Sequence, residues 1–228
     1  MIANAAPTPT QSLTISGPAG NLEALLDAPA SAPAVDVMAP DAVAVICHPH
    51  PLHGGTMTNK VVHTLAKAFN SVGAPAVRFN YRGVGASAGA FDEGDGETQD
   101  ALAVLDWTAQ RWPGAQLWLG GFSFGGGIAI RAAAARDVTR LVTVAPAIRL
   151  VSVDTSALPK CPWLVVQGDR DELVDAADIQ RWAQSLAMPP RIAVLSGVEH
   201  FFHGRLNDLR QVVVSWLGEG GGSQALDR

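Results

Sequence analysis

Apolar blocks separated by polar and turn-forming residues divide the chain into predicted strands and helices. Short stretches rich in apolar residues predict strands; they span residues 42–47, 76–79, 118–120, 140–145, 163–167 and 191–195. The unbroken apolar run at residues 42–47 has the length of a strand that is covered on both faces of a sheet. Other segments repeat apolar residues every three or four positions, which predicts amphipathic helices; they span residues 59–71, 97–111, 174–187 and 203–217.

The order of these elements predicts an α/β fold. Two short strands, residues 12–17 and 21–28, flank a Gly-Pro turn and predict an antiparallel hairpin at the start. Beyond it, strands alternate with helices, as in βαβ units. We therefore predict a single domain over residues 12–217, with a mainly parallel, twisted sheet of about eight strands and helices on both faces. Residues 1–11 and 218–228 are predicted to be flexible.

Length, charge and hydropathy favour a single soluble domain over a nucleic-acid-binding or membrane-spanning protein. The chain has 228 residues, enough for one domain with a sizeable core. Its net charge of -5 argues against nucleic acid or an anionic membrane surface as a partner. No apolar run approaches the roughly 20 residues of a membrane span, and the first residues lack the features of a secretory signal. We expect a soluble cytoplasmic protein, and the sequence leaves its oligomeric state open.

Residues 121–125 read Gly-Phe-Ser-Phe-Gly and follow a predicted strand. The stretch of small and apolar residues after them, from residue 126 to about 132, is predicted to be a further helix. In this Gly-x-Ser-x-Gly pattern, a nucleophile elbow, a Cβ two residues before or after the serine would crowd a sharp turn. Ser123 is therefore predicted to stand exposed at the end of the sheet. The N–H of Phe124, at the start of the helix, would point toward negative charge that develops beside the hydroxyl, as in an oxyanion hole.

A serine hydroxyl needs a base that takes its proton and a carboxylate that orients the base. His200 follows the last predicted strand and is favoured over His203, which is expected inside the last helix. Asp171 is favoured over Asp169 because it lies deeper in its loop, whereas Asp169 is expected to bond the backbone of its own turn. Since each residue lies just past a strand, the predicted catalytic residues are Ser123, Asp171 and His200.

The loop after the third strand is rich in histidine, with Cys-His-Pro-His-Pro-Leu-His-Gly-Gly at residues 47–55. His48 and His50 have the spacing of a chelating pair, but no suitably placed acidic or cysteine ligands accompany them, so we predict no metal. A rigid loop here could instead direct one N–H at a substrate carbonyl oxygen, opposite that of Phe124. Proline has no N–H, so His50 or Leu52 must supply it, and His50 is favoured.

Residues 83–89, Gly-Val-Gly-Ala-Ser-Ala-Gly, are a weak match to a dinucleotide-binding loop. No predicted helix begins directly at these glycines, and the acidic residues of segment 92–97 would lie where a pyrophosphate should bind. The acidic segment is expected to face the start of the following helix. We therefore predict no cofactor.

These residues resemble the α/β-hydrolase superfamily over residues 12–217. Ser123, Asp171 and His200 match its catalytic triad. Residues 80–87, Asn-Tyr-Arg-Gly-Val-Gly-Ala-Ser, match the loop after its fourth strand. The resemblance implies a serine hydrolase fold with the nucleophile after the fifth strand.

Residues 48–55 look like the same loop in small bacterial hydrolases close to dienelactone hydrolases, although Pro49 stands where the commoner superfamily version has glycine. Dienelactone hydrolases use cysteine as the nucleophile, so the serine at position 123 favours an ordinary esterase. Many superfamily members carry a helical lid between the sixth and seventh strands. Residues 146–162 are too few for a lid domain, so we expect an open cleft.

The resemblance implies cleavage of carboxylic esters through an acyl-enzyme. Without a lid, short-chain or small soluble acyl esters are the expected substrates, and the candidate walls for the acyl group are Leu52, Phe124, Phe201 and Phe202. The same triad would also serve a thioesterase, a peptidase or an acyltransferase. Outside enzymes, the alternative is a catalytically silent member that acts as a binding protein.

Overall fold

The computed structural model describes residues 10–29 and 39–219. The terminal segments predicted to be flexible lie outside the described residues, apart from two residues at each end. Thr10 and Gln11 belong to the first strand, and residues 218–219 belong to the last helix. The folded elements therefore extend slightly beyond the predicted domain boundaries.

Eight strands and five α-helices occur in the described residues, together with a 3₁₀ turn at Pro51–His53. The strands are β1 (Thr10–Gly17), β2 (Gly20–Asp27), β3 (Ala42–Cys47), β4 (Ala76–Phe79), β5 (Gln116–Phe122), β6 (Arg140–Val144), β7 (Trp163–Gly168) and β8 (Arg191–Leu195). The helices are α1 (Lys60–Ser71), α2 (Asp95–Arg111), α3 (Phe124–Ala135), α4 (Ala176–Gln184) and α5 (Leu206–Glu219).

The strands form one sheet in the order β1-β2-β4-β3-β5-β6-β7-β8. β2 pairs antiparallel with both β1 and β4, and all other neighbouring strands are parallel. This confirms the predicted α/β architecture with an antiparallel opening hairpin. Because parallel strands end at the same edge of a sheet, the loops that follow β3, β5, β6, β7 and β8 meet there.

The sheet separates two apolar cores, and successive residues of its central strands face opposite cores. Val45 of β3 packs in the core that α2, α3 and α4 cover. The next residue, Ile46, packs in the core that α1 and α5 cover. Both side chains are fully buried, which explains why β3 reads as an unbroken apolar run. The prediction of helices on both faces is therefore confirmed.

The last helix begins three residues later than the apolar pattern predicts. Phe202 and Gly204 have φ angles of 54° and 70°, in the left-handed region, which an α-helix cannot include. The helix α5 therefore begins at Leu206, and His203 lies in the loop before it.

The acidic segment before α2 caps that helix. Glu97 is fully buried, and its carboxylate accepts hydrogen bonds from the N–H groups of Asp92 (3.0 Å) and Gly94 (2.7 Å). These bonds satisfy donors near the helix N-terminus, where a negative charge is also favoured by the helix dipole. The structure thus gives the acidic run the helix-starting role expected for it.

Two features are absent from the described residues. The connection between β6 and β7, residues 145–162, contains turns but neither a helix nor a strand, so there is no lid domain. Within residues 10–29 and 39–219, no helix has the length and apolar character needed to cross a membrane.

Candidate active site

A sharp turn at Ser123 connects β5 to α3. Ser123 has φ 55° and ψ -119°, a strained conformation for any residue other than glycine. Its N–H donates to the carbonyl of Val144 (2.9 Å), and its carbonyl accepts from the N–H groups of Gly126 (2.9 Å) and Ala147 (2.9 Å). Hydrogen bonds to both the N–H and the carbonyl of Ser123 therefore fix the strained turn. The turn places the Ser123 side chain at the carboxyl edge of the sheet.

The two glycines of the elbow allow very close backbone contacts. A Cβ on Gly121 would lie 2.1 Å from the carbonyl oxygen of Gly125. A Cβ on Gly125 would lie 2.3 Å from the carbonyl oxygen of His48 and 2.4 Å from that of Cys47. Since these neighbours are backbone atoms of a strand end and a helix start, they cannot move aside easily. The crowding expected from the Gly-x-Ser-x-Gly pattern is therefore present in the structure.

We expect Gly125→Ala to lower the free energy of unfolding by about 1–3 kcal/mol, because the added methyl group overpacks the elbow. Gly218→Ala is the matched control, since a Cβ on Gly218 meets no heavy atom within 4 Å. Alanine in that helix should leave stability unchanged or raise it by up to about 1 kcal/mol. Urea unfolding of both variants measures the difference. A Gly125→Ala variant as stable as wild type would contradict this account of the elbow.

Ser123, His200 and Asp171 form one chain of hydrogen bonds. Nε2 of His200 lies 3.0 Å from Oγ of Ser123, and its Nδ1 lies 2.8 Å from Oδ2 and 3.0 Å from Oδ1 of Asp171. An ionised carboxylate only accepts, so Nδ1 carries the proton and Nε2 of the neutral ring accepts from the hydroxyl. The ring is 2% exposed and packs against Phe122 and Phe201, each with its centroid 5.1 Å away.

The Asp171 carboxylate is buried but well supplied with donors. Its side chain is fully buried, and Oδ1 accepts from the N–H groups of Leu173 (2.9 Å) and Val174 (2.7 Å). Burial raises the pKa of Asp171, but the hydrogen bonds from His200 and from these two N–H groups outweigh it and hold the pKa below its usual value. The carboxylate is therefore ionised at neutral pH, as the proton assignment of His200 requires.

The two residues ranked second by sequence lie outside this chain of hydrogen bonds. The carboxylate of Asp169 accepts from the N–H of Gly197 (2.6 Å), in the loop after β8, and not from its own turn as expected. His203 is exposed, and its Nδ1 lies 3.3 Å from Oε2 of Glu199. In the part of the chain that the structure describes, neither side chain bonds to Ser123.

Two candidate backbone donors lie in segments that meet at the elbow, Phe124 at the start of α3 and His50 in the loop after β3. Among the described residues, the N–H of Phe124 has no hydrogen-bond partner, and the rings of Phe124 and His50 lie 4.9 Å apart. The N–H of Leu52 donates to Nδ1 of His50 (3.2 Å) and is therefore occupied. Of the two donors that sequence left open, the N–H of His50 is the one without a partner in these ranges.

The arrangement can be compared with known proteins. Residues 39–160 match the family described as serine aminopeptidase, S33. The chain belongs to this family. Together with its fold, this membership confirms the predicted resemblance to the α/β-hydrolase superfamily.

This S33 family member is similar to two proteins of known structure and to a third protein known by its sequence. An α/β serine hydrolase homologue from Coxiella burnetii is 42% identical, with a TM-score of 0.84 over 93% of this chain and 99% of that chain. A lidless α/β serine hydrolase from Xanthomonas campestris is 41% identical, with a TM-score of 0.84 over 94% of this chain and 96% of that chain. An uncharacterized protein from Rickettsia prowazekii is 35% identical over 185 residues, which are 77% of this chain and 78% of that protein. The likenesses to the two serine hydrolase structures, together with the family, support hydrolase activity.

His48, the first histidine after β3 in this S33 family member, is fully buried. Its Nε2 accepts from the N–H of Tyr81 (3.2 Å), so its Nδ1 carries the proton and donates to the carbonyl of Pro49 (2.6 Å). Because both ring nitrogens bond within the fold, neither is available to a metal ion. Within the described ranges, no group of three or more His, Cys, Asp or Glu residues could hold one.

Burial lowers the pKa of His48 to about 4, although its bond to Pro49 acts in the opposite direction.

We expect His48 to make the folded state about 2 kcal/mol less stable at pH 5 than at pH 7. An unfolded histidine has a pKa of about 6.5, whereas burial holds that of His48 at about 4. As pH falls through this window, the unfolded state binds a proton that the folded state excludes, so stability falls. Urea unfolding of wild type and His48→Gln at both pH values isolates the effect. Equal pH dependence of the two proteins would refute it.

The candidate walls for an acyl group divide into two kinds. Leu52 and Phe201 are 68% and 42% exposed, and Phe201 contacts the ring of His200. Phe202 is fully buried in the core beneath α5, and Phe124 packs beneath α2 and α3. The structure therefore corrects the role predicted for the Phe202 and Phe124 side chains, because each is enclosed by the core that it stabilises.

Gln167 contacts the site, and motif reasoning missed it. This fully buried residue of β7 places Nε2 3.0 Å from Oδ2 of Asp171 and 3.0 Å from the carbonyl of Val174. The available signal was a polar residue near the end of an otherwise apolar strand, four positions before Asp171. That signal could not show which group the amide contacts.

Proposed function

We propose that this protein is a serine hydrolase that cleaves carboxylic esters of short-chain or small soluble acyl groups. The observation that carries the proposal is the hydrogen-bonded chain from Ser123 through His200 to Asp171. An acyl-enzyme mechanism requires this order of nucleophile, base and orienting carboxylate. Membership of the S33 family supports hydrolytic chemistry.

In the first half of the proposed reaction, Oγ of Ser123 attacks the ester carbonyl while Nε2 of His200 takes the hydroxyl proton. Asp171 stays ionised and stabilises the imidazolium. The N–H groups of Phe124 and His50 are the proposed donors to the oxyanion of the tetrahedral intermediate. When the intermediate collapses, the alcohol leaves with the proton from His200, and the acyl group remains on Ser123.

The second half repeats the same transfers with water. His200 takes a proton from the attacking water, whose oxygen bonds to the acyl carbon. Collapse of the second intermediate releases the carboxylic acid and returns the proton to Oγ of Ser123. One ester and one water therefore yield one acid and one alcohol, and the protein regains its starting protonation state.

The surroundings of Ser123 support small substrates. The connection between β6 and β7 forms no lid over the elbow. The exposed apolar side chains of Leu52 and Phe201 lie in loops that follow β3 and β8, at the same edge of the sheet as Ser123. They are the proposed contacts for the acyl group, and their small number favours a short chain over a long lipid chain.

A labelling experiment combined with a substrate panel tests this proposal. We expect a fluorophosphonate probe to label Ser123, as located by mass spectrometry of the digested protein. We also expect 4-nitrophenyl esters with short acyl chains to be cleaved faster than long-chain esters, thioesters and aminoacyl anilides. Failure to label Ser123 would favour a silent binding protein, and faster cleavage of the anilides would favour a peptidase. Loss of activity to a chelator would indicate a metal enzyme instead.

A further inference from the structure

We propose that Gln167 is a positioning residue that holds the carboxylate of Asp171 in the orientation that His200 needs. The proposal rests on the proposed function, because it concerns the same chain of hydrogen bonds. Gln167 does not touch Ser123 or the place where a substrate carbonyl would react. Its effect would pass entirely through Asp171.

The amide nitrogen of Gln167 faces three acceptors and no donor. Nε2 lies 3.0 Å from Oδ2 of Asp171, 3.0 Å from the carbonyl oxygen of Val174 and 3.3 Å from the carbonyl oxygen of Gly168. An amide rotated by 180° would set its own oxygen against these three acceptors. The orientation of the amide is therefore fixed by its surroundings, with its N–H groups directed at Asp171 and at the loop that carries it.

The amide oxygen of Gln167 bears on why this position is a glutamine and not an apolar residue. Among the described residues, Oε1 of Gln167 is buried without any hydrogen-bond donor. A buried, unpaired carbonyl costs free energy, so an apolar side chain of similar size would relieve that cost. What an apolar side chain could not supply is the pair of N–H groups. The proposal explains why a side chain with these two N–H groups lies beside Asp171 despite the cost of its unpaired oxygen.

The two oxygens of Asp171 are held by different partners. Oδ1 accepts from the backbone N–H groups of Leu173 and Val174. Oδ2 lies closer than Oδ1 to Nδ1 of His200, and its other hydrogen-bond donor is the amide of Gln167. Because Oδ1 is already held by the backbone, a second fixed donor at Oδ2 sets the plane of the carboxylate.

A donor that is independent of His200 matters during turnover. The imidazole gains and loses a proton in each half of the proposed reaction, so its bond to Asp171 changes strength. The amide of Gln167 does not titrate and lies on β7, between β6 and β8 in the sheet. It therefore keeps Oδ2 in place while the charge on His200 changes. Small displacements of catalytic groups reduce turnover strongly, which is why such a fixed donor should affect the rate.

The test compares Gln167→Met, which keeps the size of the side chain but removes both N–H groups, with Thr143→Val. Thr143 is fully buried on the neighbouring strand β6 and accepts from Nε1 of Trp163 (2.9 Å). Its replacement therefore also removes a buried hydrogen bond, but one that does not reach Asp171. With 4-nitrophenyl acetate, we expect Gln167→Met to lower kcat by about 10- to 100-fold. KM should stay within about twofold, since no contact with substrate is lost. Thr143→Val should keep the wild-type kcat.

A spectroscopic readout separates positioning from general damage. The Nδ1 proton between His200 and Asp171 is expected far downfield in the ¹H NMR spectrum, because it lies in a charge-assisted hydrogen bond. This signal should shift or broaden in Gln167→Met and stay unchanged in Thr143→Val. If Gln167→Met does not fold, Gln167→Leu is measured in the same way.

The outcomes are distinct. Wild-type protein that cleaves no ester would refute the proposed function. Active wild type with unchanged kcat and an unchanged downfield signal in the Gln167 variant would refute the positioning role alone. Equal losses of kcat in Gln167→Met and Thr143→Val would also refute it, because the effect would then be structural.

Discussion

Replacement of Ser123 by alanine is expected to lower ester hydrolysis by roughly 10⁴- to 10⁶-fold while the protein stays folded. Alanine lacks the oxygen that forms the bond to the acyl carbon. His200 then has no hydroxyl to activate, and any residual rate would come from water in the site. The fold should survive because the hydrogen bonds at position 123 that fix the turn are made by backbone atoms.

The matched control is Ser16→Ala, which changes an exposed serine on β1, far along the sheet from β5. Steady-state hydrolysis of 4-nitrophenyl acetate and thermal unfolding are measured for wild type and both variants. Ser16→Ala should behave as wild type in both assays. Near wild-type turnover by a folded Ser123→Ala protein would exclude Ser123 as the nucleophile.

Asp171→Asn is expected to lower kcat by about 10⁴-fold in a protein that still folds. We also expect a loss of stability of about 1–3 kcal/mol, because the buried amide nitrogen would face the N–H group of Gln167. Asparagine has the size of aspartate, but its amide nitrogen is a donor where the carboxylate is an acceptor. An amide N–H facing Nδ1 of His200 would favour the tautomer that carries its proton on Nε2. That proton would point at Oγ of Ser123, so the imidazole could no longer act as a base.

Asp169→Asn is the matched control for this substitution. Asp169 lies in the same loop, and its carboxylate accepts from the N–H of Gly197, a bond that the amide oxygen of asparagine can replace. We expect kcat of this variant within about twofold of wild type. The reverse result, in which Asp169→Asn is inactive and Asp171→Asn is active, would reject the assignment of the acid. Hydrolysis of the same acetate ester distinguishes the two outcomes.

The architecture was predictable because its signals are local. An unbroken apolar run predicted β3 at its observed bounds, since a strand covered on both faces favours apolar side chains at every position. β4 and β8 were also predicted at their observed bounds, although each contains an arginine within its apolar stretch. The elbow was predictable for a similar reason. A serine between two glycines at fixed spacing is the local requirement of a turn that places backbone atoms in contact.

The end of the chain shows where local signals fail. Apolar spacing extended the last helix back to residue 203, but the left-handed φ angles of Phe202 and Gly204 delay it to Leu206. The same turn encloses the Phe202 ring in the core, which removes it from the predicted cleft. Both differences arise because the loop after β8 packs against distant elements, which no short sequence window includes.

By itself, the sequence determined the order of strands and helices, the sharp turn at Ser123 and a short list of loop residues for each chemical role. Each of these follows from neighbours along the chain. Only the tertiary structure decided that Asp171 and not Asp169 faces His200, and that the amide of Gln167 faces the same carboxylate. The physical reason is that a hydrogen bond depends on a separation of about 3 Å between atoms, and folding sets that separation for residues far apart in sequence.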